Sequence, residues 1–328
     1  MRAAVLYDVD DVRIEARPLP ELDDGEILVQ TMASGICSGD VMAWYIRRKA
    51  PLVLGHEPAG VVAETRGEST FSVGDRVFVH HHAPCFSCRA CARGEYVQCA
   101  TWKATKIDPG GIAEYFRVPQ ANLRDTLVLP PELPFEDASL IEPLGCVVKS
   151  LRRSGVRNGD RLYVIGLGVM GLLHVLGARA VGADVFASDF IETRRSIAQR
   201  NGATVFHPDD VARVLPDGAD VVICGPGTPG AMRAAVAATA PAGTIVMFTP
   251  FPPEEAVTID SQKLYCGDLR IVASYSCGPE DTREALQLVA KGTVTAAKVG
   301  AELVGIEDVP RAYRELASAR IVKPIVLF

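Results

Sequence analysis

Two rhythms of apolar and polar positions divide the chain. Up to about residue 135, short β-favouring runs occur at Val12 to Ala16, Glu26 to Thr31, Gly60 to Ala63 and Arg76 to His80. Asp24-Gly25, Gly74-Asp75 and several prolines punctuate them, which predicts strands joined by turns in a β-rich domain. After Pro134 the spacing changes. Asp137 to Arg153 has a helical period, and from Arg161 onward apolar strands alternate with helices. The strands are expected at Arg161 to Ile165, Asp184 to Ser188, Asp220 to Cys224, Thr244 to Phe248 and Arg270 to Ser274, with helices near 171–181, 191–200 and 229–239. Buried apolar strands separated by helices predict a doubly wound parallel sheet, an α/β fold. Helices at Thr282 to Lys291 and Val309 to Ser318 precede a closing strand at Ile321 to Leu327, which a return to the first domain would bury.

Composition narrows the class. A chain of 328 residues is too long for one ordinary core and predicts about two domains. With 48% hydrophobic and 23% charged residues it reads as globular and soluble. The longest uncharged apolar stretch, Leu162 to Leu173, is short of the ~20 residues of a bilayer span. Met1 to Asp8 is too briefly apolar for a signal peptide, so a cytoplasmic location is expected. Nine cysteines, an odd number, fit a reducing compartment where thiols bind metal rather than pair. A net charge of −6 without a Lys/Arg run gives no support for nucleic acid, and no feature calls for a membrane. A small-molecule substrate is the expected partner.

The chemistry sits in three places. Cys85, Cys88, Cys91 and Cys99 follow C-x2-C-x2-C-x7-C, a spacing that lets one loop close four thiolates around Zn²⁺. Such a closed tetrahedron is structural and leaves no position for substrate. Gly166-Leu167-Gly168-Val169-Met170-Gly171 follows an apolar strand and opens a helix, the context in which G-x-G-x-x-G cradles a dinucleotide pyrophosphate. Asp189 ends the next strand, 18 residues on, where a carboxylate accepts from ribose hydroxyls and favours NAD over NADP; Arg194 and Arg195 nearby could soften that preference. Cys224 and Thr249, at later strand ends, are candidate cofactor neighbours. Gly35-Ile36-Cys37-Ser38-Gly39-Asp40 and Gly55-His56-Glu57 add a thiolate and an imidazole from the β-rich domain.

With Gly110-Gly111-Ile112-Ala113-Glu114-Tyr115 and Glu142-Pro143-Leu144 in the same order, the chain resembles the zinc-dependent medium-chain dehydrogenase/reductase family over essentially its whole length. That family includes alcohol, sorbitol, threonine and glucose dehydrogenases. The resemblance implies a GroES-like catalytic domain over 1–146 and 276–328, a Rossmann cofactor domain over 147–275, and an active site in the cleft between them. It implies a catalytic zinc on Cys37, His56 and Glu142, with Cys146, about one helical turn on, as the competing thiolate. Glu57 would be an alternate ligand and Asp40 would orient His56. The implied enzyme holds two zinc ions per chain. It moves hydride between NAD(H) and a secondary alcohol or ketone of a polyol, sugar or hydroxy-amino-acid, as a homotetramer or homodimer. An enone or quinone reductase, or a non-catalytic cofactor-binding protein of the same fold, is the alternative. One position departs from the pattern. Gly39 stands where relatives carry Ser or Thr, so Ser38 or a water is expected to take the substrate proton. His80-His81-His82 is read as a strand whose imidazoles face alternate sides and cannot share one ion, leaving pocket lining or proton carriage as roles.

Overall fold

In the computed structural model, which describes residues 1–328, the strand Ile27–Gly35 is the hub of the β-rich half. It pairs antiparallel with Pro58–Thr65, with Tyr115–Val118 and with the closing strand Lys323–Leu327. Ile27, Val29, Val62, Val77, Phe116 and Val118 fill the core against it. Each such side chain contributes roughly 1.5–3 kcal/mol when fully withdrawn from water. The pairing of Ile325 with Gly35 carries residues from the far end of the chain back to the loop that bears Cys37. By its internal packing the chain divides into two units, Met1–Gly145 with Cys277–Phe328, and Cys146–Ser276.

The second unit holds six parallel strands in the order Thr204–Phe206, Asp184–Ser188, Arg161–Ile165, Ala219–Cys224, Thr239–Met247 and Arg270–Ala273. The strand order reverses between Arg161–Ile165 and Ala219–Cys224. At such a switch point the carboxyl ends of the strands leave a crevice for ligands. No helix is long and apolar enough to cross a membrane.

Sequence and structure differ locally. The helical stretch at 137–153 is two helices, Phe135–Ala138 and Ile141–Ser154, and Ser139 Oγ donates to the Glu136 carbonyl at the break. Residues Arg2–Asp8 form a strand that the charge of its neighbours obscured; it pairs with Asp11–Ala16 and Leu52–Val53. The strand from Arg76 ends at Val79, so His80, His81 and His82 lie beyond the pleat. Strict alternation therefore does not govern them: the His80 and His81 rings meet edge-on at a centroid distance of 5.3 Å, and the His81 and His82 rings meet at a tilt at 4.2 Å.

Candidate active site and metal centres

Short helices Arg89–Ala92 and Ala100–Ala104 follow Cys88 and Cys99 and fold the cysteine loop on itself. All four sulfurs lie within 4.8 Å of one another, with Cys85–Cys91 at 3.9 Å, Cys88–Cys91 at 3.6 Å and Cys85–Cys99 at 3.6 Å. A tetrahedron with Zn–S of ~2.3 Å has sulfur–sulfur edges of ~3.8 Å, so the cage fits the ion. All nine cysteines are free thiols. Hydrogen bonds from Ser87 and from the Cys88 N–H pull the Cys85 pKa down to about 5, while burial pushes Cys91 up to about 12. Trp102, which is 2% exposed, packs with Cys91, Val97 and Cys99 behind the cage.

A second donor group forms in the same unit. Cys37 leads into the single turn Ser38–Val41, and its Sγ accepts from the Gly39 N–H at 3.3 Å. His56 and Glu57 follow Gly55, whose φ of +96° suits glycine and whose added Cβ would fall 2.4 Å from the Ile112 nitrogen. The donor atoms of Cys37, His56 and Glu57 lie within 4.8 Å of one another. Glu142, near the start of the helix Ile141–Ser154, falls instead in a second such group with His80 and His81. The two groups adjoin, because the His56 and His81 rings are 4.9 Å apart. Asp40 Oδ2 is 3.8 Å from His56 Nδ1, and Glu57 is ion-paired with Lys323. Cys146 belongs to the other unit.

The electrostatics of this cluster call for a cation. Burial alone would lower the His56 pKa, but Asp40, Cys37 and Glu142 together hold it well above the ordinary value. Burial raises the carboxyls of Asp40 and Glu142, with His56 opposing the shift in both. Asp40 Oδ2 and Glu57 Oε1 are buried without a hydrogen-bond partner. A thiolate, an imidazole and carboxylates with unused oxygens form a donor set suited to Zn²⁺. The residues present therefore fit the ion.

On the second unit, Gly166 has φ +86°, and a Cβ on Gly171 would fall 2.0 Å from the Gly166 carbonyl oxygen. A Cβ on Gly168 would meet nothing within 4 Å, so the backbone there is open to a pyrophosphate. Val169 and Met170 begin the 13-residue helix Val169–Val181, whose first turn has no side-chain cap and presents its N–H groups. Asp189 accepts from the Leu167 N–H at 2.7 Å and the Ile191 N–H at 2.8 Å. Arg194 lies 3.9 Å from the Asp189 carboxylate, and Arg195 donates to the Asp189 and Phe190 carbonyls at 2.6 and 3.0 Å. Thr249 lies two residues past the end of Thr239–Met247, beside Gly227. Cys224 ends its strand as expected, but its thiol is buried in the apolar core, which pushes its pKa up to about 11.

Residues 23–130 match the alcohol dehydrogenase GroES-like domain, and residues 169–291 match the zinc-binding dehydrogenase family. D-xylulose reductase A of Aspergillus oryzae is 30% identical over 345 residues, covering 98% of this chain and 95% of its own. This chain belongs to the zinc-dependent medium-chain dehydrogenase family. Its backbone superposes on a structure from Sinorhizobium meliloti 1021, assigned as a zinc-binding dehydrogenase and bound to NADP, with a TM-score of 0.89 at 28% identity over 100% of this chain and 99% of that one. Alcohol dehydrogenase TADH from Thermus sp. ATN1 gives the same TM-score of 0.89 at 25% identity, again over 100% and 99% of the two chains. Like other members of this dehydrogenase family, the chain joins a GroES-like domain to a Rossmann-type parallel sheet.

Sequence reasoning singled out the three histidines as pocket lining or proton carriers, but it anticipated neither their partners nor the Lys323–Glu57 pair. Lys323 pairs with Glu57 across 266 residues of chain. His80 Nδ1–H donates to the Asp125 carboxylate at 2.6 Å, and its Nε2 lies 3.6 Å from the Cys277 sulfur. His81 sits beside His56. The run of three histidines was the available signal for His81. Lys323 offered none beyond being a lysine in an apolar strand.

Proposed function

We propose that the protein is a zinc-dependent, NAD-preferring dehydrogenase interconverting a secondary alcohol and its ketone on a polyol or sugar. The observation that carries this reading is the convergence of Cys37, His56 and Glu57 beside Glu142, in a cluster with unpaired carboxylate oxygens. The D-xylulose reductase relatives support a hydroxylated substrate. Cys37, His56 and one of the two glutamates would hold the ion, while Asp40 steadies the His56 ring. Zinc held there would supply a Lewis acid for the substrate oxygen, and nicotinamide on the Rossmann unit would accept the hydride. Asp189 would receive the ribose hydroxyls. With no hydroxyl at Gly39, Ser38 would pass the substrate proton outward. The reading extends to two zincs per chain and to a cytosolic homotetramer or homodimer. An NAD-coupled screen of polyols, sugars and amino alcohols with metal-replete protein tests it, alongside zinc content and light scattering. Reduction of enones with NADPH and no alcohol oxidation would replace it with the reductase reading.

A further inference from the structure

We propose that His81 reads a second hydroxyl on the carbon next to the reacting one, so that the site selects vicinal diols and α-hydroxy ketones over simple alcohols. The inference rests on the dehydrogenase reading and goes on to name the substrate class. Among the three consecutive imidazoles, the neighbours of His81 are committed. His80 is held between Asp125 and Cys277, and His82 is bonded through Nδ1 to the Thr105 carbonyl. His81 Nδ1 is buried and meets no partner. A buried polar nitrogen left unpaired is costly, so a group that arrives with the substrate has something to gain there.

The placement matches that role. The His81 ring is 4.9 Å from the His56 ring, and one of its nitrogens lies within 4.8 Å of a Glu142 oxygen. With an alcohol oxygen handled at the Cys37–His56 group, the oxygen of a vicinal hydroxyl is one C–C bond further on, a reach that would match the spacing between the His56 and His81 rings. A neutral imidazole offers one donor and one acceptor nitrogen and suits an uncharged hydroxyl. A simple alcohol would leave Nδ1 as it is, unpaired.

The test compares 2,3-butanediol and xylitol with 2-butanol, which lacks the neighbouring hydroxyl, at saturating NAD with zinc-replete wild type, His81→Phe and His81→Asn. His81→Phe is expected to lower kcat/KM for both polyhydroxy substrates by roughly 10- to 100-fold, mainly through KM, and to change 2-butanol by less than about twofold. His81→Asn, which restores a polar group, should recover part of the loss. Zinc content and the absorption bands of the Co²⁺-substituted protein should stay the same in all three. Equal losses on 2-butanol and the diols overturn the inference. So does a variant that loses a zinc or shifts the Co²⁺ bands, since His81 would then be a metal ligand. Wild type that oxidises none of the three sinks the dehydrogenase reading itself, a pattern distinct from the other two.

Discussion

Lys323 and Glu57 form an ion pair with both side chains 1% exposed, closed over by Gly35. A Cβ at Gly35 would fall 1.9 Å from Glu57 Oε2 and 2.7 Å from Lys323 Nζ. Removing the lysine would strand a carboxylate inside the protein. Lys323→Met is expected to cost about 3–5 kcal/mol in urea unfolding, and the double change with Glu57→Leu should recover much of it. An unchanged unfolding midpoint in Lys323→Met would show that the pair contributes nothing to the fold.

The cysteine cage should hold its own ion independently of the reactive site. Cys91→Ser is expected to lower zinc by one equivalent per chain and to expose 85–104 to protease. Elemental analysis after dialysis checks it. Retention of the full zinc content would remove the cage from the metal account.

Asp189 stiffens the glycine turn through the Leu167 and Ile191 N–H groups, and on the proposed reading it would also receive the ribose of NAD. Asp189→Ser keeps a polar group but loses the paired bonds to Leu167 and Ile191. The preference for NAD over NADP in kcat/KM should fall by tenfold or more, about 1.4 kcal/mol or above, because the repelling charge is gone and Arg194 remains. Steady-state kinetics with both cofactors decides it, and an unaltered ratio would take Asp189 out of cofactor choice.

Ser38 and Gly39 address proton transfer. Ser38→Ala should slow alcohol oxidation at neutral pH by roughly tenfold or more if its hydroxyl carries the proton. Gly39→Ser has room, since a Cβ there meets only Cys37 Sγ, at 3.5 Å, and should restore the rate in the Ser38→Ala background. If Ser38→Ala leaves both rate and pH profile untouched, water performs the transfer.

His174 makes the Rossmann unit sensitive to acid. Its Nδ1–H donates to the Met170 carbonyl at 2.7 Å, and its Nε2 accepts from Ser150 Oγ at 2.9 Å, so the neutral ring is fully bonded. Burial pulls its pKa down to about 4, with the Met170 bond opposing. The unfolded chain, near ~6.5, binds the proton more readily. Stability from this group is therefore full above pH ~6.5 and is lost as pH falls towards 4, by about 3 kcal/mol. Urea titrations from pH 7 to 4 should show that slope in wild type and a flatter one in His174→Gln.

The legible parts were those written in short spans of chain. The cysteine spacing and the strand–glycine–helix sequence each specify a local backbone, and the structure builds both where the pattern put them. The parallel strands were equally plain, because burial on both faces demands apolar runs. His81, Cys277 and Lys323 were not legible as a group. They come from three distant stretches, and only the pairing of Lys323–Leu327 with Ile27–Gly35 brings the last of them to the site. The His80 to His82 run failed as a strand because a pleat needs ladder bonds, and those stop at Val79.

The segment 146–276 is inserted into the chain of the first unit, whose hub strand borrows an edge partner from beyond the insertion. During synthesis the Rossmann segment can complete itself as a contiguous piece. The earlier segment, once made, must wait with the Ala33–Gly35 end of its hub strand unpaired on one side and the Glu57 carboxylate without its counter-charge. Growth of the polypeptide thus sets an assembly order in which the cofactor platform precedes the reactive centre. A ribosome stalled before residue 323 would present a nascent chain that has its parallel sheet but lacks the lysine that partners Glu57.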